Sequence, residues 1–369
     1  MKVPYNYLPQ EFGDTKNIFT DWARLIESSE YTLGPYVEEF ESKFAELVGS
    51  KHAIATNNGT DALILSLKAL KLESGFEAIV PANTFYATAG AVVAAGGIPV
   101  FCDVDSRYQL DLVSAESVIT GKTRVILPVH WAGASPNMNE LMAFAARFNL
   151  YVVEDACMGI GGRVNDNHPG TFGNLGAFSM HPLKSLNVIG DGGICVTDDD
   201  GLAGWMRMYR NHGMVDRDHI DMYGVNMRIQ PLQAVVAMER MPKLSKVLDI
   251  RRGNASLYDH GLSSIDGIKT PPREPWNSET FSLYMVLAEH RDGLLNFLIQ
   301  KGIDAKIHYP IPLHLQNAQR ELLATPERIS LKRSEAQAGQ LLTIPVHQYL
   351  NTDQIHYVIA CINEFYVGV

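Results

Sequence analysis

The chain has 369 residues, 46% of them apolar and 20% charged, with a formal net charge of −10 and a mean hydropathy near zero. That is an ordinary globular composition, long enough for about two domains and a large buried core. The acidic balance argues against nucleic acid or an anionic membrane as the main partner, but leaves room for an anionic small substrate held by local donors. No run of about 18 apolar residues and no basic-then-apolar leader appears, so neither a membrane span nor a signal peptide is expected, and the cytoplasm is the expected compartment. Cys102, Cys157, Cys195 and Cys361 are widely spaced and form no CxxC or Cys/His pattern. Buried reduced thiols are therefore expected, and no metal site.

In chain order, YTLGPYVEEFESKFAELVG places Val37, Phe40, Phe44 and Leu47 at helical spacing after a Gly-Pro turn, so a helix ends near Gly49. A strand–helix rhythm follows. HAIATN reads as strand, TDALILSLKALKL as a helix with Leu63, Leu67 and Leu70 on one stripe, EAIVP as strand and FYATAGAVVAAG as helix. IPVFCDV, TRVILPV and LYVVED continue the strands, with LVSAESVI and NMNELMAFAARF as the helices between them; GAFSM and GICVT add two more strands. Such alternation implies an α/β unit with a mostly parallel sheet covered on both faces. Near residue 250 the pattern changes to a charged helix, DIRRGNASLYDH, and a Pro-rich connection, PPREPWNSET; FSLYMVLAEH, LLNFLIQKGI and a closing helix near 352–365 read as a smaller α+β unit. The expected division is 1–248 and 249–369.

Three stretches of the first unit, and one aromatic, carry candidate chemistry. The turn Asn57–Asn58–Gly59–Thr60 lies between a strand and a helix, where free amide groups and the helix dipole make an anion site; it fits a plain N-cap as well. It is the best phosphate candidate. GIGG at 159–162 lacks the GxGxxG spacing of a dinucleotide fingerprint, and GKT at 121–123 has Glu116 where a P-loop needs glycine. Glu154–Asp155 closes the strand LYVV, at the strand end where open α/β sheets bind ligands; Asp155 fits either a partner for a protonated ring nitrogen or a structural ion pair. Phe85 fits either a ring-stacking aromatic or a core residue.

The third place is FSMHPLKSLNVIGDGG, residues 178–193, with Ser179, His181 and the single lysine Lys184 ahead of Gly190, Gly192 and Gly193. A surface lysine is the commoner fate of such a residue. A lysine in a partly desolvated pocket acts instead as a free amine, as Schiff-base chemistry requires. The stretch resembles a pyridoxal-phosphate (PLP) lysine loop.

Taken in order, Gly59–Thr60, Asp155, Ser179-x-His181-x-x-Lys184 and GDGG resemble fold-type I PLP enzymes. The blocks YTLGPYVEEFESKFAELVGSKHAIATNNGTDAL, VPANTFYATAGAVVAAGGIPVFCDVD, PVHWAGASPNM, VEDACMGIGG, YGVNMRIQPLQAVV and GIDAKIHYPIPLHLQ narrow the resemblance to the DegT/DnrJ/EryC1/StrS sugar aminotransferases across nearly the whole chain. The resemblance implies PLP as cofactor, a keto sugar, nucleotide-linked, as amino acceptor, glutamate as donor, and a homodimer with shared active sites. It implies that Lys184 binds the cofactor and moves the proton, Asp155 partners its ring nitrogen, Phe85 stacks on its ring, and Gly59, Thr60 and Ser179 cradle its phosphate. Asn226 and Arg228 match residues that reach into the neighbouring subunit's site, Asn226 towards the phosphate; His308, Tyr309 and His181 match the substrate side.

Two positions depart from the pattern. Met158 stands where the family usually has a Gln or His directed at the cofactor, and a thioether cannot donate a hydrogen bond. The family's acidic GDE is blurred to Gly75–Phe76–Glu77. Rivals within PLP chemistry are a sugar dehydratase, whose relatives carry His in place of Lys184, a cyclitol aminotransferase or an aminobenzoate-forming synthase. A rival outside it is a catalytically idle partner subunit.

Overall fold

The computed structural model describes residues 1–322 and 330–368. Its first unit is built on a seven-stranded sheet of β1 (His52–Thr56), β2 (Glu77–Pro81), β3 (Ile98–Cys102), β4 (Thr123–Ile126), β5 (Tyr151–Asp155), β7 (Leu175–Ser179) and β8 (Gly193–Thr197), in the order β1-β8-β7-β5-β4-β2-β3. A short β6 (Arg163–Val164) lies outside it, paired with β10 (Asn277–Ser278) from the far side of the chain. Only β8 runs against its neighbours, pairing antiparallel with both β1 and β7; the other pairs are parallel.

The strands are short, apolar and buried on both faces, which is why they read as continuous apolar runs rather than alternating ones. Three of the helices between them start at side-chain caps: Asn58, Asp111 and Asn137 each accept a hydrogen bond from an amide in the following first turn. One core cluster fills the space between the sheet and the helices Gly59–Ala69 and Tyr86–Ala95, with Leu63, Leu65, Leu67 and Val92 fully or almost fully buried. A second cluster on the opposite face packs Val37, Phe40 and Phe44 of the helix Pro35–Val48 against Phe178 and Val236.

The second unit is a small antiparallel sheet of β9 (Ile268–Lys269), β11 (Tyr284–Ala288) and β12 (Leu341–Ile344), ordered β12-β11-β9. It is backed by the helices Arg291–Gln300 and Thr352–Val367. A boundary at 248/249 falls inside one continuous helix, Leu244–Leu262. Leu244 and Leu248 of that helix pack in the first unit's core, while Ala255, Tyr258 and Leu262 pack in the second unit's. Val3 also joins the second core, bonded through its backbone to Gly302 and Asp304, so the first residues of the chain return to its last third.

Candidate active site

With β8 the one reversed strand, the carboxyl ends of β1, β2, β4, β5 and β7 lie along a single edge of the sheet. The segments leaving these ends supply Asn58–Thr60, Thr84–Phe85, Val129–Trp131, Asp155–Met158 and Ser179–Lys184 to one cavity of about 440 Å³. Its far wall comes from the second unit: Ser282, Leu283, His308, Tyr309 and His347, with Tyr5, Tyr7 and Arg251. This is the crevice where open α/β sheets hold ligands.

At one end of the cavity, the helix Gly59–Ala69 points its amino terminus inward. Its cap, the Asn58 side chain, accepts only from the Asp61 amide, at 2.8 Å. The amides of Gly59 and Thr60 have no acceptor among the described residues. Two free N–H groups, a helix dipole and the Thr60 and Ser179 hydroxyls make a donor set of the kind that suits an anion such as a phosphate. Glycine is required at 59 by a close approach: a Cβ there would lie 2.6 Å from Ser179 Cβ and 3.0 Å from Cys157 Sγ. Gly193 is tighter still, since its Cβ would meet the Asn58 carbonyl oxygen at 2.1 Å. Gly193 of the glycine cluster after Lys184 thus seats β8 against the helix start.

Adjacent strand residues face opposite sides, and that separates Glu154 from Asp155. Glu154 points away from the cavity and is fully buried; it accepts from the amides of Gly170, Phe172 and Gly173, each at 2.7 Å, and lies 2.8 Å from His130 Nε2. It is a structural anchor. Asp155 points into the cavity, held by the Thr88 hydroxyl at 2.7 Å and the Cys157 amide at 3.2 Å. Thr88 in turn lies 3.1 Å from Thr84 Oγ1. A carboxylate so fixed and facing a cavity suits a cationic ring nitrogen.

Lys184 is half-buried in the turn after β7, its amide bonded to the His181 carbonyl at 2.8 Å. Desolvation of its amine lowers its pKa from the usual lysine value, opposed by the nearby Cys157 and Asp155. The amine is therefore more readily neutral, as a nucleophile must be. His308 is pushed down to about 4, first by burial and then by Lys184, and His181 is lowered by the same two causes in the same order. Both present neutral imidazoles to the cavity at neutral pH. Phe85 sits among aromatics, 3.9 Å between ring centroids from Tyr86 and 5.8 Å from Tyr309, with Trp131 also 5.8 Å from Tyr309.

Of the residues singled out in the sequence, Gly59, Thr60, Phe85, Asp155, Ser179, His181, Lys184, His308 and Tyr309 all line this cavity, as does Met158. Asn226 and Arg228 do not. They lie on a segment running beside the end of β1, where Arg228 donates to Asn226 Oδ1 at 3.1 Å and to Asn211 Oδ1 at 2.8 Å, and Asn226 is exposed. Tyr5, Tyr7, Thr88, Trp131, Arg251 and Ser282 were not anticipated. Thr88 and Trp131 lie in quoted blocks without having been singled out, and the other four come from segments without a motif; Tyr7 and Arg251, 244 positions apart, meet only through the fold.

The same set of residues is what a cofactor bearing a phosphate, an aldehyde and a basic ring requires. The chain matches the model of the DegT/DnrJ/EryC1/StrS aminotransferase family over residues 14–363. It belongs to that family. Its architecture is accordingly that of the fold-type I aminotransferases: S. venezuelae DesV, solved in complex with a ketimine intermediate, is similar with a TM-score of 0.95 and 36% identity, covering 99% of this chain and 98% of that one. In sequence the chain is 37% identical to the dTDP-3-amino-3,4,6-trideoxy-alpha-D-glucose transaminase of Streptomyces venezuelae, over 93% of this chain and 90% of the relative. It is 34% identical, over 99% of each, to a protein of Geobacillus stearothermophilus called pleiotropic regulatory protein. The Met158 carbonyl accepts from the hydroxyls of Thr280 and Ser282 at 2.7 and 3.0 Å, while its side chain packs in a cluster with Trp131, Phe85 and Tyr309.

Proposed function

We propose that this chain is a PLP-dependent aminotransferase that moves an amino group from glutamate to a keto sugar carried on a nucleotide. The observation that carries the reading is the convergence, in one cavity, of a desolvated lysine, a carboxylate at the β5 end and a helix amino terminus with free amides. In this reading Lys184 binds the cofactor's aldehyde, Asp155 its ring nitrogen, Phe85 its ring face, and Gly59, Thr60 and Ser179 its phosphate. The bound cofactor supplies an electron sink for proton removal beside the reacting nitrogen. Lys184 Nζ would take that proton and pass it on within the same half-reaction, and would run the transfer in reverse when the keto sugar receives the amine. Asp155 would face the ring nitrogen, held in place by the Thr88 hydroxyl and the Cys157 amide.

The sugar-nucleotide reading rests on the family and on the dTDP-linked substrate in the name of the S. venezuelae relative. Asn226 and Arg228, outside their own cavity, are available to a neighbouring copy; Ile220 and Tyr223, 53% and 93% exposed on the same segment, support a homodimer contact there. Cys102, Cys195 and Cys361 are buried, Cys157 is half-buried, and all four are unpaired, which supports a reducing compartment such as the cytoplasm. With Lys184 and Asp155 both in the cavity, an inactive partner subunit is the weaker reading.

The test is an absorbance spectrum of the protein with PLP, before and after glutamate, for wild type and Lys184→Ala. Wild type should show the visible band of a lysine-bound cofactor, and glutamate should bleach it. The variant should never form it. A band that glutamate leaves unchanged refutes the donor; no band at all refutes the cofactor. Aminated product from a panel of nucleotide-linked keto sugars then identifies the acceptor.

A further inference from the structure

Arg251 is the largest side chain buried almost completely, 1% exposed, and it lines the cavity, yet nothing in the proposed chemistry uses it. Among the described residues it has no carboxylate partner. Its Nε donates to Gln348 Oε1 at 3.0 Å, and Gln348 in turn donates to Glu11, which is paired with Arg240. A buried guanidinium held only by neutral acceptors is costly, and such groups persist where their geometry is needed.

The geometry here is specific. One arm of Arg251 donates to the Tyr7 hydroxyl at 2.8 Å, and that hydroxyl donates to the Leu183 carbonyl at 3.1 Å. The other arm reaches Ser185 Oγ at 3.4 Å. Leu183 and Ser185 are the two chain neighbours of Lys184. The phenol of Tyr7 has one proton and accepts one, so its hydrogen-bonding is largely committed to this relay. Arg251 also lies on Leu244–Leu262, the helix shared by both cores.

We propose that Arg251 is a positioning residue that grips both flanks of Lys184, through Tyr7 on one side and Ser185 on the other, and so sets where the Lys184 amine stands relative to the second unit. The inference rests on the aminotransferase reading above. Small displacements of a reacting group, on the order of 1 Å, cost roughly a hundredfold in rate, so a grip on the backbone beside the lysine is a lever on the chemistry rather than on binding.

Holoenzyme variants Tyr7→Phe, Ser185→Ala, the double variant and Gln348→Ala test this, with wild type, by steady-state kinetics and by pH titration of the visible band of the lysine-bound cofactor. The double variant should lose roughly ten- to a hundredfold in kcat, with the KM for the amino donor unchanged and the midpoint of the band displaced. Gln348→Ala touches the guanidinium but neither flank; it should lower the denaturation midpoint and leave kcat and the band alone. Arg251→Lys keeps the charge but cannot span both flanks, and should reproduce the double variant rather than rescue it. A double variant with wild-type kcat and band, or a Gln348→Ala loss as large as that of Tyr7→Phe, overturns the inference while leaving the aminotransferase reading intact. A wild type that takes up no cofactor overturns both.

Discussion

His168 makes the stability of this protein depend on mild acid. It is 1% exposed, behind the Asp155 strand; its Nε2 accepts from the Gly161 amide at 2.7 Å and its Nδ1–H donates to the Pro169 carbonyl at 2.6 Å. An Nε2 that accepts an N–H cannot carry a proton, and burial pushes the imidazole down to about 3. The sign follows from proton counting. Between its unfolded value near 6.5 and its folded value, the unfolded chain binds the proton and the folded one does not, so stability is full above about pH 6.5 and falls as pH drops through that window. At pH 5 the loss is about 2 kcal/mol, and the limiting slope is about 1.4 kcal/mol per pH unit. The assay is urea unfolding by tryptophan fluorescence at pH 7.5, 6 and 5, for wild type and His168→Gln, whose side chain keeps an acceptor but has no titrating proton. The difference between the two unfolding free energies should shrink by about 2 kcal/mol on going to pH 5. A difference that stays constant with pH refutes the account of His168 as a buried acceptor.

Four further outcomes follow from the site. Gly59→Ala forces a Cβ to within 2.6 Å of Ser179 Cβ; it should cost about 1–3 kcal/mol of stability and weaken PLP uptake at least severalfold in a fluorescence titration. Glu154→Gln places an NH₂ where the carboxylate accepts three amides and faces His130, and should cost at least ~1–3 kcal/mol by urea unfolding while Asp155 is untouched. Because burial lowers the Lys184 pKa, the rate of PLP uptake by the apoprotein should rise with pH and level off below the ordinary lysine value of 10.5, as followed by the visible band. Mixing inactive Lys184→Ala with inactive Arg228→Ala should restore part of the activity if the sites are shared between copies, and restore none if each chain completes its own.

Much of the first unit was legible in the sequence because its strands are buried on both faces. Runs such as EAIVP and IPVFC leave no doubt about their type, and Asn58, Asp111 and Asn137 mark the following helix starts with capping chemistry. The helices Lys16–Ser28 and Pro231–Arg240 were not anticipated. The motif residues from Gly59 to Lys184 were readable for a related reason: each follows a strand, and a parallel sheet delivers all its strand ends to one edge.

Other facts belong to the tertiary structure alone. The reversal of β8 leaves no trace in its composition, because an apolar strand reads the same in either direction. Asp155 was singled out in the sequence, but its neighbour Glu154 had no reading there; the pleat sends Glu154 into a nest of amides and Asp155 into the cavity. Whether Lys184 is a surface lysine or a desolvated amine depends on a wall contributed by residues 282–347 and by Tyr5 and Tyr7. The grip of Arg251 on its flanks likewise joins three segments with no common motif. Local chemistry is written in neighbouring residues, and so the sequence determined the elements and the reactive groups; desolvation and positioning come from atoms far apart in the chain, and only packing brings those together.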